Sequence, residues 1–290
     1  WQDTVACLES LEKIKNKFKV IVVDTSPTDE IKMFLVPWYK NSTIMNNIQF
    51  IRVGENIGFS AGNNIGIIKA LKEQDCQFLW ILNNDTIVKE NTLTTMIEKM
   101  STSDDIVVVG SVTLEYNYPE CVQNGGGKIK YLPFGSNSII RENTKEKELV
   151  FYDEDAFEIY NGASFLMRAD FFRDNHLVMD DRLFLYYEEI AMVMQLRRYG
   201  KRVAVALKSH VYHKGGASTC KTNNLFLLYH LWRSKYIILG DYFKFLLPTE
   251  FLIDMSRVLF NLCKFDFKKA RTYLDAIWTG LSIGLRNGAK

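Results

Sequence analysis

Phe78-Leu79-Trp80-Ile81-Leu82-Asn83-Asn84-Asp85-Thr86-Ile87-Val88 is the most informative stretch of this 290-residue chain. Five consecutive apolar residues, with no polar alternation, mark a strand buried on both faces. Asn83-Asn84-Asp85 then stands where that strand ends. In open α/β sheets ligands lie beyond the carboxyl ends of the strands, so a carboxylate at this point is a candidate binding group. Asp also closes turns and caps helices, and the position alone does not separate these roles.

Working outward, the pattern repeats. Residues 1–17 carry Val5, Leu8, Leu11 and Ile14 on one helical stripe. Residues 18–23 form a second buried strand, ended by Asp24 and the turn residues Ser26, Pro27 and Asp29. A short helix over 30–39 and a strand over 48–53 follow, then a polar, Gly-rich loop over 56–64 that enters a helix ending near Lys72. Beyond the central stretch come a helix over 92–100 and a strand over 106–110. This alternation predicts βαβ units and an open, mostly parallel sheet. A right-handed crossover into the 18–23 strand also calls for a strand before Trp1, absent from the chain as numbered. Further on, Gly125-Gly126-Gly127 and residues 142–148 read as loops around a hairpin, 163–168 as a strand, 188–199 as a helix ended by Gly200, and 202–207 as a strand. From Asn223 the chain reads as helical, so 1–220 is expected to form the α/β domain and 221–290 a helical region.

Composition narrows the class. Hydrophobic residues at 47% and charged ones at 24% exclude whole-chain disorder, collagen and coiled coil. The longest uncharged run, residues 56–68, is 13 residues with three glycines, too short for the roughly 20 apolar residues of a membrane-spanning helix. Cys7, Cys76, Cys121, Cys220 and Cys263 are odd in number and scattered, which argues against a disulfide framework or a structural zinc site and fits a cytoplasmic setting. The net charge of +2 is uneven: residues 221–290 hold 11 Lys/Arg against 5 Asp/Glu, with 13 aromatic residues. A basic, aromatic tail suits either an anionic lipid surface or an ordinary helical core. No dinucleotide or P-loop glycine motif is present, and no helix-turn-helix or RNA-binding motif accompanies the basic residues, so nucleic acid is not an expected partner.

Six motifs in order resemble glycosyltransferase family 2, of the GT-A fold. They are Val22-Val23-Asp24-Thr25-Ser26-Pro27, Asn56-Ile57-Gly58-Phe59-Ser60-Ala61-Gly62-Asn63-Asn64, the stretch from Trp80 to Val88, Asn161-Gly162-Ala163-Ser164, Phe184-Leu185-Tyr186-Tyr187-Glu188-Glu189, and His213-Lys214-Gly215-Gly216-Ala217-Ser218. The second is similar to the branch with rhamnosyl- and galactofuranosyltransferase-like enzymes. The resemblance implies an open mixed sheet flanked by helices and an inverting transfer from a UDP- or dTDP-sugar to a glycan or lipid-linked acceptor in cell-surface polysaccharide synthesis. The basic, aromatic C-terminal region adds the expectation of a peripheral position on the inner face of the cytoplasmic membrane. Asn83-Asn84-Asp85 takes the place of the family's D-x-D motif, so Asp85, with His213, would hold Mg2+ or Mn2+ against the diphosphate.

By the same resemblance, Asp24, Asn56, Gly58, Asn63, Asn84, Gly162 and Ala163 would line the nucleotide-sugar site. The acceptor hydroxyl must lose its proton as it attacks, and Glu189, with Glu188 beside it, matches the family's base position. Glu189 stands where that pattern has Asp, and Ala191 where it has a further carboxylate. These departures, with Asn83 replacing an Asp, keep a second reading open: a non-catalytic nucleotide- or glycan-binding domain descended from such an enzyme.

Overall fold

The structure, a computed structural model, describes residues 1–29, 31–39, 47–140, 144–215 and 224–287. Glu30, Glu142, residues 216–218, Cys220 and Asn223, all used in the sequence reading, lie outside the described residues.

The chain opens with α1 (Gln2–Leu11) and β1 (Val20–Asp24), passes a π-turn and α2 (Val36–Tyr39), and returns in β2 (Ile48–Arg52). Then follow α3 (Phe59–Leu71), β3 (Phe78–Leu82), β4 (Thr86–Val88), α4 (Thr92–Met100) and β5 (Ile106–Glu115). β6 (Val122–Asn124) and the hairpin β7 (Gly127–Tyr131) to β8 (Phe134–Ser138) lead to β9 (Ser164–Arg168), α5 (Ala169–Asp174), α6 (Glu188–Arg197) and β10 (Arg202–His213). Three helices finish it: α7 (Asn224–Tyr242), α8 (Leu247–Cys263) and α9 (Phe267–Asn287).

The sheet is mixed, as the family resemblance implies, rather than mostly parallel as the helix–strand alternation alone suggests. Its main path is β3-β9-β5-β10-β4, with β6 on β5 and β1-β2 as a separate parallel ladder. Only β5 with β10 runs parallel in the larger sheet, because β9 inserts antiparallel between β3 and β5. Periodicity identifies strands but carries no direction, and β9 follows a long irregular segment rather than a crossover helix. β1 and β3 each bond one neighbour among the described strands, β2 and β9 respectively.

Several boundaries differ from the sequence reading. α3 starts at Phe59, five residues before the loop was expected to end, because Ser60, Gly62 and Asn64 are buried on its inner side. β5 and β10 run on to Glu115 and His213, well past Gly110 and Leu207. Their polar residues are satisfied internally: Ser111 Oγ lies 3.0 Å from both Ser164 Oγ and Ser209 Oγ, and Trp80 Nε1 donates to Ser164 Oγ. A buried hydroxyl chain thus ties β3, β9, β5 and β10 where apolar periodicity fails.

Apolar clusters cover both faces of the sheet. One joins α1, α4 and the strands through Leu8, Leu11, Met96, Val109 and Leu166. The other runs from Val108, Phe165 and Leu196 to Tyr236, Ile237, Ile238 and Leu239 of α7, so the first C-terminal helix shares the main core. α9 packs on α7 in backbone contact: a Cβ on Gly280 would stand 2.5 Å from the Arg233 carbonyl oxygen, and one on Gly284 2.7 Å from that of Ile237.

Candidate functional site

The turn after β3 closes through Thr86, whose N–H and Oγ both donate to the Asn83 carbonyl at 3.3 and 2.7 Å. β10 ends beside it, with His213 opposite Thr86, and the Lys214 N–H donates to the Asp85 carbonyl at 3.1 Å. This register brings His213 Nε2 to 3.2 Å from Asp85 Oδ1, both side chains mostly buried. The predicted cation pair therefore meets across 128 residues of sequence.

Gln123, which the sequence reading missed, decides the state of that pair. Its Nε2 donates to the His213 carbonyl at 3.2 Å, so Oε1, 2.6 Å from His213 Nδ1, must accept. His213 Nδ1 then carries a proton, which leaves Nε2 to face the Asp85 carboxylate oxygen, either donating its own proton there or offering a lone pair to a cation. A nitrogen and a carboxylate oxygen are ligands a divalent cation accepts, so these residues fit one. Among the described residues no third acidic, His or Cys side chain joins them.

The second centre is the start of α6. Glu189 Oε1 accepts the Gly162 N–H at 3.1 Å, and a side chain on Gly162 would collide with that oxygen. The neighbouring Ala163 carbonyl accepts the Asn83 N–H at 2.9 Å, while Ala163 N–H donates to Asn161 Oδ1 at 2.7 Å. One short turn thus spans the distance between Glu189 and the residues preceding Asp85. Gly162 and Ala163 meet Glu189 and Asn83 as a unit.

Electrostatics at α6 are unusual. Burial, reinforced by the Glu189 charge, pushes Glu188 up to about 8. Burial also raises Glu189, against its bond from Gly162. Among the described residues, Glu188 Oε1 and the Tyr160 hydroxyl are buried with no hydrogen-bond partner, and burial near these two carboxylates holds the Tyr160 phenol well above its ordinary value. Unpaired buried polar atoms are costly and rare, so their concentration here marks a site selected for something other than stability.

The backbone leading into α6 is strained. Tyr186 and Tyr187 both have positive φ, 70° and 71°, a region that costs non-glycine residues about 1–2 kcal/mol each. It is held from outside: Tyr187 stacks on Phe134 and donates to its carbonyl at 3.3 Å. Ser234 and Arg233 of α7 donate to the Leu185 and Arg182 carbonyls.

The remaining predicted residues sit around the ends of β1 and α3. Asp24 Oδ1 accepts from Ser26 N–H at 2.9 Å, and Oδ2 lies 3.4 Å from Arg52 Nη1. Asn56 Oδ1 accepts the Gly58 N–H at 3.1 Å. Gly58 has φ +90°, and a Cβ there would stand 2.7 Å from the Phe184 carbonyl oxygen, which instead accepts the Phe59 N–H. So Asn56 and Gly58 pack under the segment that carries Glu188 and Glu189. Asn63 donates to the Phe59 carbonyl one turn back, and Asn84 Nδ2 donates to Thr4 Oγ1 on α1.

Other residues fall elsewhere. His210 lies three positions before His213, on the other side of the strand, where it contacts Glu146 at 2.9 Å and the Leu207 carbonyl at 2.8 Å. A cleft of about 1140 Å³ opens there, lined by Lys89, Lys145, Glu146, Tyr152, Lys208 and His210; no predicted site residue contributes to it. Arg197 faces Glu158, and Arg198 lies over the Tyr242 ring. Asp180 closes its turn onto the Arg182 N–H and also pairs with the Arg182 guanidinium, which reaches Asp241 on α7.

The profile of "Glycosyl transferase family 2" matches residues 1–174. Among solved structures, the chain is similar to GalNAc-T7 with UDP, GalNAc and Mn2+, at a TM-score of 0.57 and 17% identity over 73% of this chain and 40% of that one. It is also similar to TarS of S. aureus, at a TM-score of 0.50 and 17% identity over 82% of this chain and 38% of that one. The chain therefore spans well under half the length of either structure, and at that identity the likeness concerns the fold. A search of curated proteins finds no match. With the family profile covering more than half of its residues, the chain belongs to glycosyltransferase family 2.

Proposed function

We propose that this protein is an inverting glycosyltransferase that moves a sugar from a nucleoside-diphosphate donor, UDP- or dTDP-linked, to a hydroxyl of a glycan or lipid-linked acceptor. Cell-surface polysaccharide synthesis at the cytoplasmic face of a membrane is the setting this reading favours, and rhamnosyl or galactofuranosyl units are the donor sugars its Asn56–Asn64 motif suggests. The observation that carries the reading is the Gly162-Ala163 turn, which links Glu189 to the Asn83–Asp85 strand end through the Gly162 N–H on the Glu189 carboxylate and the Ala163 carbonyl on the Asn83 N–H.

Glu189 then acts as general base. The acceptor oxygen forms a bond to the anomeric carbon as the bond to the β-phosphate oxygen breaks; the hydroxyl proton passes to the Glu189 carboxylate, and the nucleoside diphosphate leaves. Inversion follows from this single displacement. Asp85 and His213 would hold Mg2+ or Mn2+, which supplies charge neutralisation for the departing diphosphate. The Mn2+ in the GalNAc-T7 structure supports that assignment. Gly162, lacking a side chain, lets the Glu189 carboxylate close on its backbone at the sugar side, while Asp24, with Asn56, Gly58, Asn63 and Asn84 around the strand ends, forms the nucleotide side.

The test is release of nucleoside diphosphate from UDP- and dTDP-sugars with Mn2+, with Mg2+ and with chelator. Expected is metal-dependent release that Asp85→Asn abolishes while the folded spectrum is kept. Metal-independent release, or an Asp85→Asn variant at the wild-type rate, refutes the cation assignment. Donor binding with no turnover under any condition selects the non-catalytic binding domain instead.

A further inference from the structure

We propose that the α8–α9 hairpin is an in-plane anchor that seats this protein on an anionic lipid surface. This takes up the membrane partner of the preceding reading and assigns it to one surface, with the residues that enter the lipid.

The inner side of the hairpin is fully committed to the protein. Val258, Ala270, Tyr273, Ala276 and Ile277 are buried, and Glu250 and Asp254 of α8 bind Lys235 of α7, each at 2.6 Å. The outer side is apolar at helical spacing. On α9, Phe267, Leu274, Trp278 and Leu285 fall on one stripe, and on α8 Leu252 and Leu259 do so two turns apart. Phe260 and Phe265 join the two stripes at the connecting turn. Exposure is high where a soluble surface would be polar: 79% for Phe265, 76% for Trp278, 70% for Leu252 and 61% for Leu259. Contiguous apolar surface on this scale marks an interaction face.

The chemistry of the rim chooses the partner. Lys264, Lys268, Arg271 and Arg286 lie exposed beside the stripe, with Lys269 half-buried toward the inner edge of α9, whereas the acidic residues of α8 are turned inward and neutralised there. Asp266 and Asp275 are the exposed acids on this hairpin among the described residues. The Lys264 ammonium sits over the Phe260 ring, 4.3 Å from its centre, so a cation and an aromatic face stand together at the rim. Rings at headgroup depth with long cations above them are the arrangement of an interfacial helix. A second copy of this face would set cations against cations. No helix among the described residues is long and apolar enough to cross a membrane, so the geometry is that of lying on the surface.

Phe265 supplies an independent observation. It has φ +59° at the end of α8, where its N–H donates to the Leu262 carbonyl and the Asp266 N–H to that of Asn261. Glycine suits this position, and a phenylalanine there is strained. Its ring makes no buried contact to offset that strain; it stands in solvent beside Phe267, 6.2 Å between centres. Partition of the ring into lipid supplies the missing compensation.

The full chain is sedimented with phosphatidylcholine vesicles with and without phosphatidylglycerol, at low and high salt, and its oligomeric state is read in parallel without lipid. Expected is binding to the anionic vesicles that weakens with salt. Lys268→Gln with Lys269→Gln should weaken it about 25-fold, from roughly fivefold per cation. Trp278→Ala should weaken it by about tenfold or more. Phe265→Gly separates this role from a structural one: it should raise the melting temperature and lower vesicle binding together. The proposal is overturned by binding that ignores lipid charge, by no binding at low salt, by Phe265→Gly retaining full binding, or by a lipid-free dimer that Trp278→Ala disperses. None of these readouts involves sugar transfer, so this inference and the proposed activity can fail separately.

Discussion

Glu188 and Glu189 are adjacent in sequence yet do different work. Glu189 is half-buried and held by the Gly162 N–H, which fixes a carboxylate that stays partly accessible; Glu188 is almost fully buried, with one oxygen unpaired among the described residues. Glu189→Gln keeps the shape but cannot take the proton, so transfer should fall by roughly 10²–10⁴ with donor affinity little changed. A comparable loss in Glu188→Gln, with Glu189→Gln active, would move the base one residue back. Glu188 also writes itself into stability. Its folded value of about 8 lies above the ordinary 4.5, so the native state holds a proton that the unfolded chain releases. That contribution is fully present below the ordinary value and is lost as pH rises through the folded one. Denaturant midpoints of the wild type should therefore decline across this window, and Glu188→Gln should flatten the decline. A wild-type midpoint that rises there contradicts the assignment.

At the scale of elements, the site depends on how α3 meets the 184–187 segment. Gly58 ends the loop before α3 at φ +90°, pressed on the Phe184 carbonyl, and three residues later the two left-handed tyrosines turn the chain into α6. Gly58→Ala places a methyl group where backbone already stands and forces a left-handed alanine. Destabilisation of about 1–3 kcal/mol in urea is expected, with transfer activity reduced as well, because the displaced segment carries Glu188 and Glu189. An unchanged urea midpoint would show that this contact bears no strain. The Asn56–Asn64 motif was legible as a motif, but its role as a support for α6 was not. That role rests on a contact between segments more than 120 residues apart.

Across the whole molecule, the C-terminal helices are joined to the α/β body by a buried ionic cluster. Lys235 binds Glu250 and Asp254, all almost wholly inaccessible, and Glu250 Oε1 accepts the Phe134 N–H at 2.7 Å. Phe134 in turn supports Tyr187 at the head of α6. Lys235→Met would leave the Glu250 carboxylate buried without its cation and Asp254 with Arg257 alone, an expected cost of about 3–5 kcal/mol by denaturant unfolding. Arg271→Ala, which removes an exposed pair with Asp275, should change stability by less than about 1 kcal/mol. Equal effects of the two substitutions would mean that Lys235 is not buried as described.

What the sequence determined by itself is what short-range chemistry encodes. Apolar runs at Val20–Asp24 and Phe78–Leu82 specify strands, which the fold leaves mostly half-buried, the 3.6-residue stripes specify helices, and the strand ends bearing Asp24 and Asp85 are where an open α/β sheet is expected to take a ligand. Tertiary structure alone decided the rest. The antiparallel entry of β9 depends on which edges meet during folding, and hydropathy has no sign for direction. The Gln123 clamp on His213 depends on a register across 90 residues. The separation of Glu188 from Glu189 in charge and exposure depends on what surrounds each one, since burial sets the energy of a carboxylate and a chain of letters does not contain burial. The basic, aromatic tail shows both halves of this at once. Its composition allowed a core or a lipid surface, and the fold sends Tyr236, Phe243 and Tyr273 inward while leaving Phe265 and Trp278 outside, because only one face of a helix can meet the sheet domain.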